Sequence, residues 1–291
     1  MAVAAGLVRL FRGAPQQPVG PDGKMPLADH LRELRARILR SVSVLVVAII
    51  VALFFYDELS DLVSGPYEQA VGNIDVDSEL IISGVGGPLL LQLKLSAIAA
   101  VIATSPYWLY QIWAFVMPGL HQHERRWTRV FSAVAGPLFI GGVAVGYYVL
   151  PKGLQVLIDF TPLGVTNLVD FDTYLSFFIR LLLVFGIAFE IPLFIVMLSL
   201  ARVLSARTLA EYRAWIIVGT FVFAAVATPS TDPFTMLFLA IPMVVLIFVS
   251  EGIVRLIERR RRASDDTTDW DDDEASPLDE TPSRIDDEAD W

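Results

Sequence analysis

The sequence predicts an all-α integral membrane protein with six transmembrane helices and both termini on the cytoplasmic side. Three observations lead there. Of the 291 residues 55% are hydrophobic and mean hydropathy is +0.58, far more apolar than a soluble domain, whose surface charged residues must cover. The charged residues, 19% of the chain, cluster between apolar runs, and several of those runs approach the ~20 residues that a spanning helix needs. Lysine and arginine also fall almost entirely on one side of these runs, and that bias sets orientation.

Taken in order, residues 1–24 are rich in Gly, Pro and Gln and read as a flexible cytoplasmic lead-in. Arg9, Arg12 and Pro15 interrupt any apolar core of a cleavable signal. A helix is expected from near Leu27, with Asp29 adding a favourable negative charge to its first turn. Leu27, Leu31, Leu34 and Ile38 form an apolar stripe, while His30, Glu33, Arg37 and Arg40 lie on a different face. This amphipathic segment leads straight into the first span, about 41–56. Loop 57–87 contains seven acids, including Asp57, Glu58, Asp75 and Glu79. It is too long for a turn and is expected to fold against the outer membrane surface.

The next spans are expected at about 88–108, 130–150 and 173–201. The fifth and sixth, about 215–227 and 234–250, form a hairpin around 228–233. Thirteen residues at ~1.5 Å each reach only about 20 Å, well short of a ~30 Å hydrocarbon core. The bilayer is therefore expected to thin beside these short spans. Residues 256–291 are basic, then acidic. From 263 onward, thirteen Asp/Glu face Arg284 alone, giving −12 of the chain's net −10 and leaving +2 for the rest. Such a tail is expected to be disordered. Counting Lys and Arg by side puts nineteen on the inner side against Lys152 on the outer side.

Composition also limits the chemistry. Without cysteine there is no disulfide, thiolate metal site or cysteine nucleophile. Three histidines, two of them in one short loop (His121, His123), do not make a metal site, so no metal or cofactor is expected. No nucleic-acid signature is present, and topology accounts for the basic residues.

Ionisable residues inside the spans are the first functional candidates. Lys94 and Arg180 fall near the outer ends of their spans and can snorkel to the interface. Glu190 lies twelve residues before Arg202, roughly 18 Å along a helix, which is too deep to snorkel. It must be protonated, face water, or meet a polar group on this or another chain. Pro192, two residues on, can kink the helix there. Tyr110, Trp113 and Phe115 fall near the cytoplasmic interface, as an aromatic belt or as walls of a groove.

Four separated stretches resemble the TatC family, the receptor core of the twin-arginine protein translocase. They are MPLADHLRELRAR (25–37); SPYWLYQIWAFVMPGL (105–120) followed by HERR (123–126); FGIAFEIP (185–192); and TPSTD (228–232) followed by LAIP (239–242). They occur in the family's order and span about 25–255, leaving the lead-in and the tail outside. One departure is visible: Met236 stands where a polar residue, commonly Gln, is expected.

The resemblance implies a cupped arrangement of six helices with short fifth and sixth spans, in the bacterial cytoplasmic membrane. It implies a receptor for signal peptides with consecutive arginines. With small single-span TatA- and TatB-like partners, in a multimeric complex, it would move folded proteins using the protonmotive force. Glu33 and Glu124 would receive the twin arginines, with Arg35 assisting. Glu190 would face the concave side and meet a partner helix or hydrate the thinned bilayer. Asp232, at the outer hairpin tip, is a helix cap or a partner contact, and Pro192 accompanies Glu190. Carboxylates suit the task because a guanidinium fork matches two oxygens. Read from the residues alone, Glu33 also fits an i,i+4 pair with Arg37, and Glu124 a solvated loop acid.

Two other classes remain to be weighed. A secondary transporter would use a midplane carboxylate such as Glu190 beside a broken helix, but the sequence has no inverted repeat. An enzyme would need a nucleophile with its base, a metal cluster or an aspartate dyad, and no span supplies one.

Overall fold

The computed structural model describes residues 27–74, 77–116, 125–162, 164–227 and 233–265. Among them, nine helices and two short strands follow one another. They are α1 (Leu27–Leu53), α2 (Tyr56–Val71), β1 (Ser78–Ile81), α3 (Gly87–Ala103), α4 (Ser105–Val116), α5 (Arg125–Asp159), β2 (Asn167–Asp170), α6 (Phe171–Leu200), α7 (Ala206–Glu211), α8 (Arg213–Ala227) and α9 (Pro233–Asp265). Four helices contain segments long and apolar enough to cross a membrane: His30–Leu53, Ala133–Asp159, Phe171–Leu200 and Met236–Arg260. The pair α3 and α4 forms a fifth if counted as one broken span. Helix α8, at 15 residues, is shorter and spans about 22 Å.

The amphipathic segment and first span are one helix, α1, as the unbroken pattern of the sequence leads one to expect. Its lateral contacts differ from the apolar-stripe reading. Leu31 and Ile38 are exposed, whereas Ala36 is buried on the face toward the bundle. In a membrane protein such an exposed apolar stripe faces lipid.

The second apolar segment departs from a simple span at 88–108. The chain bends by 56° between α3 and α4, at Thr104. The cause is Pro106, which lacks the N–H that would bond the Ile102 carbonyl and suits the first turn of a new helix. The Ser105 hydroxyl donates to the Ile102 carbonyl instead, at 2.7 Å. The Trp108 indole donates to the Val101 carbonyl at 2.9 Å, and the Thr104 hydroxyl to the Ala100 carbonyl at 2.7 Å. A broken helix inside a membrane is tolerable when its freed carbonyls find partners in this way.

Helices α5 and α6 are the central pair. Phe139, Leu150, Leu175 and Phe185 are almost fully buried between them and their neighbours. Three glycines allow the close approach: an added Cβ would lie 2.6 Å from the Phe185 carbonyl oxygen at Gly142, 2.6 Å from the Phe139 ring at Gly186, and 3.1 Å from the Phe185 side chain at Gly146. Small residues at the crossing are the usual means of helix association in lipid, where burial alone gives little drive. Helix α5 is 35 residues long and runs past the expected end at 150 through Pro151.

Loop 57–87 is not a loop throughout. Its first part is α2, where Val63, Tyr67 and Ala70 are buried at helical spacing together with Pro66. Pro66 cannot donate to the Leu62 carbonyl, and the Tyr147 hydroxyl of α5 fills that role at 2.9 Å. The Tyr174 hydroxyl of α6 bonds the Val63 carbonyl at 2.6 Å. Beyond α2, β1 pairs in parallel with β2, from Ser78 opposite Asn167 to Ile81 opposite Asp170. Ser78 ties this end together, bonding both the Tyr67 hydroxyl and the Asn167 carbonyl.

Asp170 then caps α6, accepting from the Thr173 amide. Hydrogen bonds from Ser83 and Thr173 hold its carboxyl below the usual carboxylate range. This contribution is therefore present at neutral pH and is lost as pH falls through that lowered value. Asp172 in the first turn pairs with Lys94 of α3. Lys94 thus binds a partner helix rather than merely reaching for the interface, whereas Arg180 is exposed and makes no ion pair with the described residues.

The sixth apolar segment is not short. Helix α9 is 33 residues long and runs on beyond Ser250. Its continuation is held by charge: Glu251, 6% exposed, bonds Arg213 of α8 at 2.7 Å and Arg255 one turn on. Glu258 accepts from the Ala206 amide at the start of α7. Removing a shared acceptor leaves both arginines without it. Because both are about half-exposed, solvent moderates the loss. Glu251→Ala is expected to cost about 1–2 kcal/mol, read as a lower denaturation midpoint in detergent; an unchanged midpoint would mean that the α8–α9 contact is held by packing alone.

Candidate functional site

Two sites emerge at different depths. The first lies at the end of the bundle opposite the sheet, where α1 begins and α4 ends. His30 of α1 stacks on Phe115 of α4 with ring centroids 4.3 Å apart. Two turns along α1, Arg37 reaches across to the Gln111 side-chain oxygen of α4 at 3.2 Å. Glu33 lies one turn before Arg37 and accepts from its Nε at 3.0 Å and from its Nη2, both on Oε1. Glu33 is half-buried and Gln111 is buried. The result is a carboxylate in a partly desolvated corner, already holding a guanidinium.

The i,i+4 partner of Glu33 is therefore present, and its long-range extension to Gln111 is an addition that spacing could not reveal. Arg35 is exposed on another face of α1 and makes no ion pair with the described residues, so the structure does not bring it to Glu33. Glu124 and Asp232 lie outside the described residues; in sequence they immediately precede α5 and α9. Tyr110 is exposed, but Trp113 is not part of a surface belt. It is buried, with its ring near Phe131 and Phe194.

The second site is in mid-helix α6. Both oxygens of Glu190 are buried and neither has a hydrogen-bond partner among the described residues. The Trp113 indole lies beside the carboxyl without reaching hydrogen-bond geometry. Pro192 is buried at the wall of an apolar groove of about 300 Å³, shared with Phe131, Val134, Val196, Val249 and Ile253. Met236, the departure noted in the sequence, packs against the main core.

Residues 29–242 match the family described as Sec-independent protein translocase protein (TatC). The chain belongs to the TatC family. The Sec-independent protein translocase protein TatC of Frankia casuarinae is 42% identical over 269 residues, covering 89% of this chain and 74% of the relative. The protein of the same name from Xylanimonas cellulosilytica is 40% identical over 81% of this chain and 86% of its own length. A crystal structure of the twin arginine translocase receptor TatC aligns with a TM-score of 0.66 at 33% identity, over 78% of this chain and 98% of the other. Family membership together with the long apolar helices makes this a multi-pass membrane protein of a transport family.

Proposed function

We propose that this chain is the signal-peptide receptor and core subunit of a twin-arginine translocase. In this reading six segments cross the bacterial cytoplasmic membrane, with α3 and α4 as one broken span and α8 as the short fifth. Both termini are cytoplasmic, in keeping with the nineteen-to-one bias of basic residues. Residues 25–255 are the translocase domain, and the two terminal segments lie outside it. TatA- and TatB-like single-span proteins assemble with it, and the protonmotive force drives transport.

The observation that best supports the receptor role is Glu33. Its carboxylate lies at the junction of α1 and α4 and already binds a guanidinium fork in a half-buried setting. That is the chemistry a peptide arginine needs. Glu124 supplies the second carboxylate from the segment before α5. Each charge-assisted bond contributes about 1.5–3 kcal/mol, so replacing both peptide arginines by lysine loses the planar match without any clash.

The test is photocrosslinking of a twin-arginine signal peptide to membranes containing the full chain. Crosslinking is expected to fall at least tenfold on Glu33→Ala or Glu124→Ala, and equally on a twin-lysine peptide. Equal labelling by both peptides would remove the receptor assignment and direct attention to solute flux through Glu190.

A further inference from the structure

We infer that Arg37 is a resident stand-in for the incoming arginine, occupying Glu33 in the empty receptor and displaced when a peptide guanidinium arrives. The inference rests on the receptor reading above and goes one step beyond it, naming the group that competes for the site.

The geometry is specific. Arg37 spends its Nε and Nη2 on a single oxygen of Glu33, and its Nη1 on the Gln111 side-chain oxygen. Neither contact engages Glu33 Oε2. The Arg37 side chain is only 18% exposed and that of Glu33 only 24%, so the pair is partly withdrawn from water. An unoccupied carboxylate there would be costly to keep dehydrated. Arg37 removes that cost, and it does so with the same planar donor set that the peptide presents.

The exchange replaces like with like. A peptide arginine replaces one fork by another and restores the bonds that Arg37 gives up. A peptide lysine offers a compact, strongly hydrated ammonium whose three donors lack the planar fork, so it binds the opened carboxylate more weakly. The resident arginine lowers the apparent affinity of both peptides by one common factor, while the preference for arginine is set at the opened carboxylate. Gln111, buried on α4, is the second anchor that positions Arg37 against Glu33.

A competitor lowers apparent affinity by the fraction of receptors it leaves free. An i,i+4 pair of this kind leaves a minority open, so Arg37→Gln is expected to tighten twin-arginine peptide binding about threefold. Binding of the twin-lysine peptide should rise by the same factor, leaving discrimination between the two unchanged, because either peptide displaces the same competitor. Gln111→Leu, which removes only the second anchor, should shift both in the same direction by a smaller factor. The measurement is a titration of labelled peptide against the full chain in membranes, with Arg37→Gln, Gln111→Leu and Glu33→Gln in parallel. Weaker or unchanged twin-arginine binding in both Arg37→Gln and Gln111→Leu overturns the inference, making Arg37 part of the peptide site or a spectator. Failure of the receptor reading looks different: the unaltered chain would show no preference for arginine, or Glu33→Gln would leave that preference intact. If Arg37→Gln does not accumulate, Gln111→Leu alone decides, with unchanged or weaker twin-arginine binding counting against the inference.

Discussion

Glu190→Ala is expected to reduce transport of a folded cargo by at least a hundredfold while leaving the amount of protein in the membrane unchanged or higher. The carboxyl is buried in α6, and neither of its oxygens is hydrogen-bonded among the described residues. A charged side chain at the centre of a spanning helix costs about 2.5–3.5 kcal/mol to insert. A residue kept solely for the stability of the bundle would have found a partner within it. Replacing it should therefore make the isolated chain no less stable, and only a process that needs the carboxyl should suffer. Peptide crosslinking through Glu33 should persist, because that pair sits at the end of the bundle on other helices. Two measurements separate the possibilities: transport into vesicles and the thermal denaturation midpoint. A variant that transports normally removes Glu190 from the mechanism. A variant that unfolds at lower temperature makes Glu190 a structural group whose partner lies outside the described residues.

The apolar runs, their order and the unbroken entry of α1 into the first span were all legible in the sequence, because helices of this kind are written in contiguous hydrophobicity. The same holds for the short α8 and for the Glu33–Arg37 pair, whose spacing places them on one face. Other features had a local signal that a simple span count passes over. Pro106 marks the break between α3 and α4, and Val63, Tyr67 and Ala70 mark α2 as a helix inside an acidic segment. What remained illegible was non-local. The four-residue strands β1 and β2 are too short for periodicity and pair across 89 residues. Gln111 meets Arg37 across 74 residues, and nothing in either neighbourhood announces the other. The length of α9 was hidden for a different reason. Its charged end looks like the end of a span, yet Glu251 and Glu258 are bonded back to α8 and α7, which keeps the helix going.

The packing of α5 on α6 makes a prediction from two neighbouring glycines. At Gly142 an added Cβ would meet the Phe185 carbonyl oxygen at 2.6 Å and the Phe189 side chain at 2.9 Å. A backbone oxygen cannot move without shifting the whole of α6, and the next residue leaves little room, since a Cβ added at Gly186 would lie 2.6 Å from the Phe139 ring. At Gly141, one residue earlier, an added Cβ meets nothing within 4 Å. Both are mid-helix, where alanine is favoured over glycine by about 1 kcal/mol. Gly141→Ala is therefore expected to be neutral or slightly stabilising. Gly142→Ala should cost about 3 kcal/mol, the upper end of overpacking penalties, because the strain falls on backbone. Denaturation midpoints of the two variants in the same detergent decide the matter. Equal behaviour would mean that α5 and α6 do not approach as closely as described here. A wide gap, with Gly142→Ala alone failing, would establish that the helix carrying Glu190 needs the space this glycine leaves on α5. The depth and orientation of Glu190 would then depend on a glycine more than a full turn of α5 away from any charged residue.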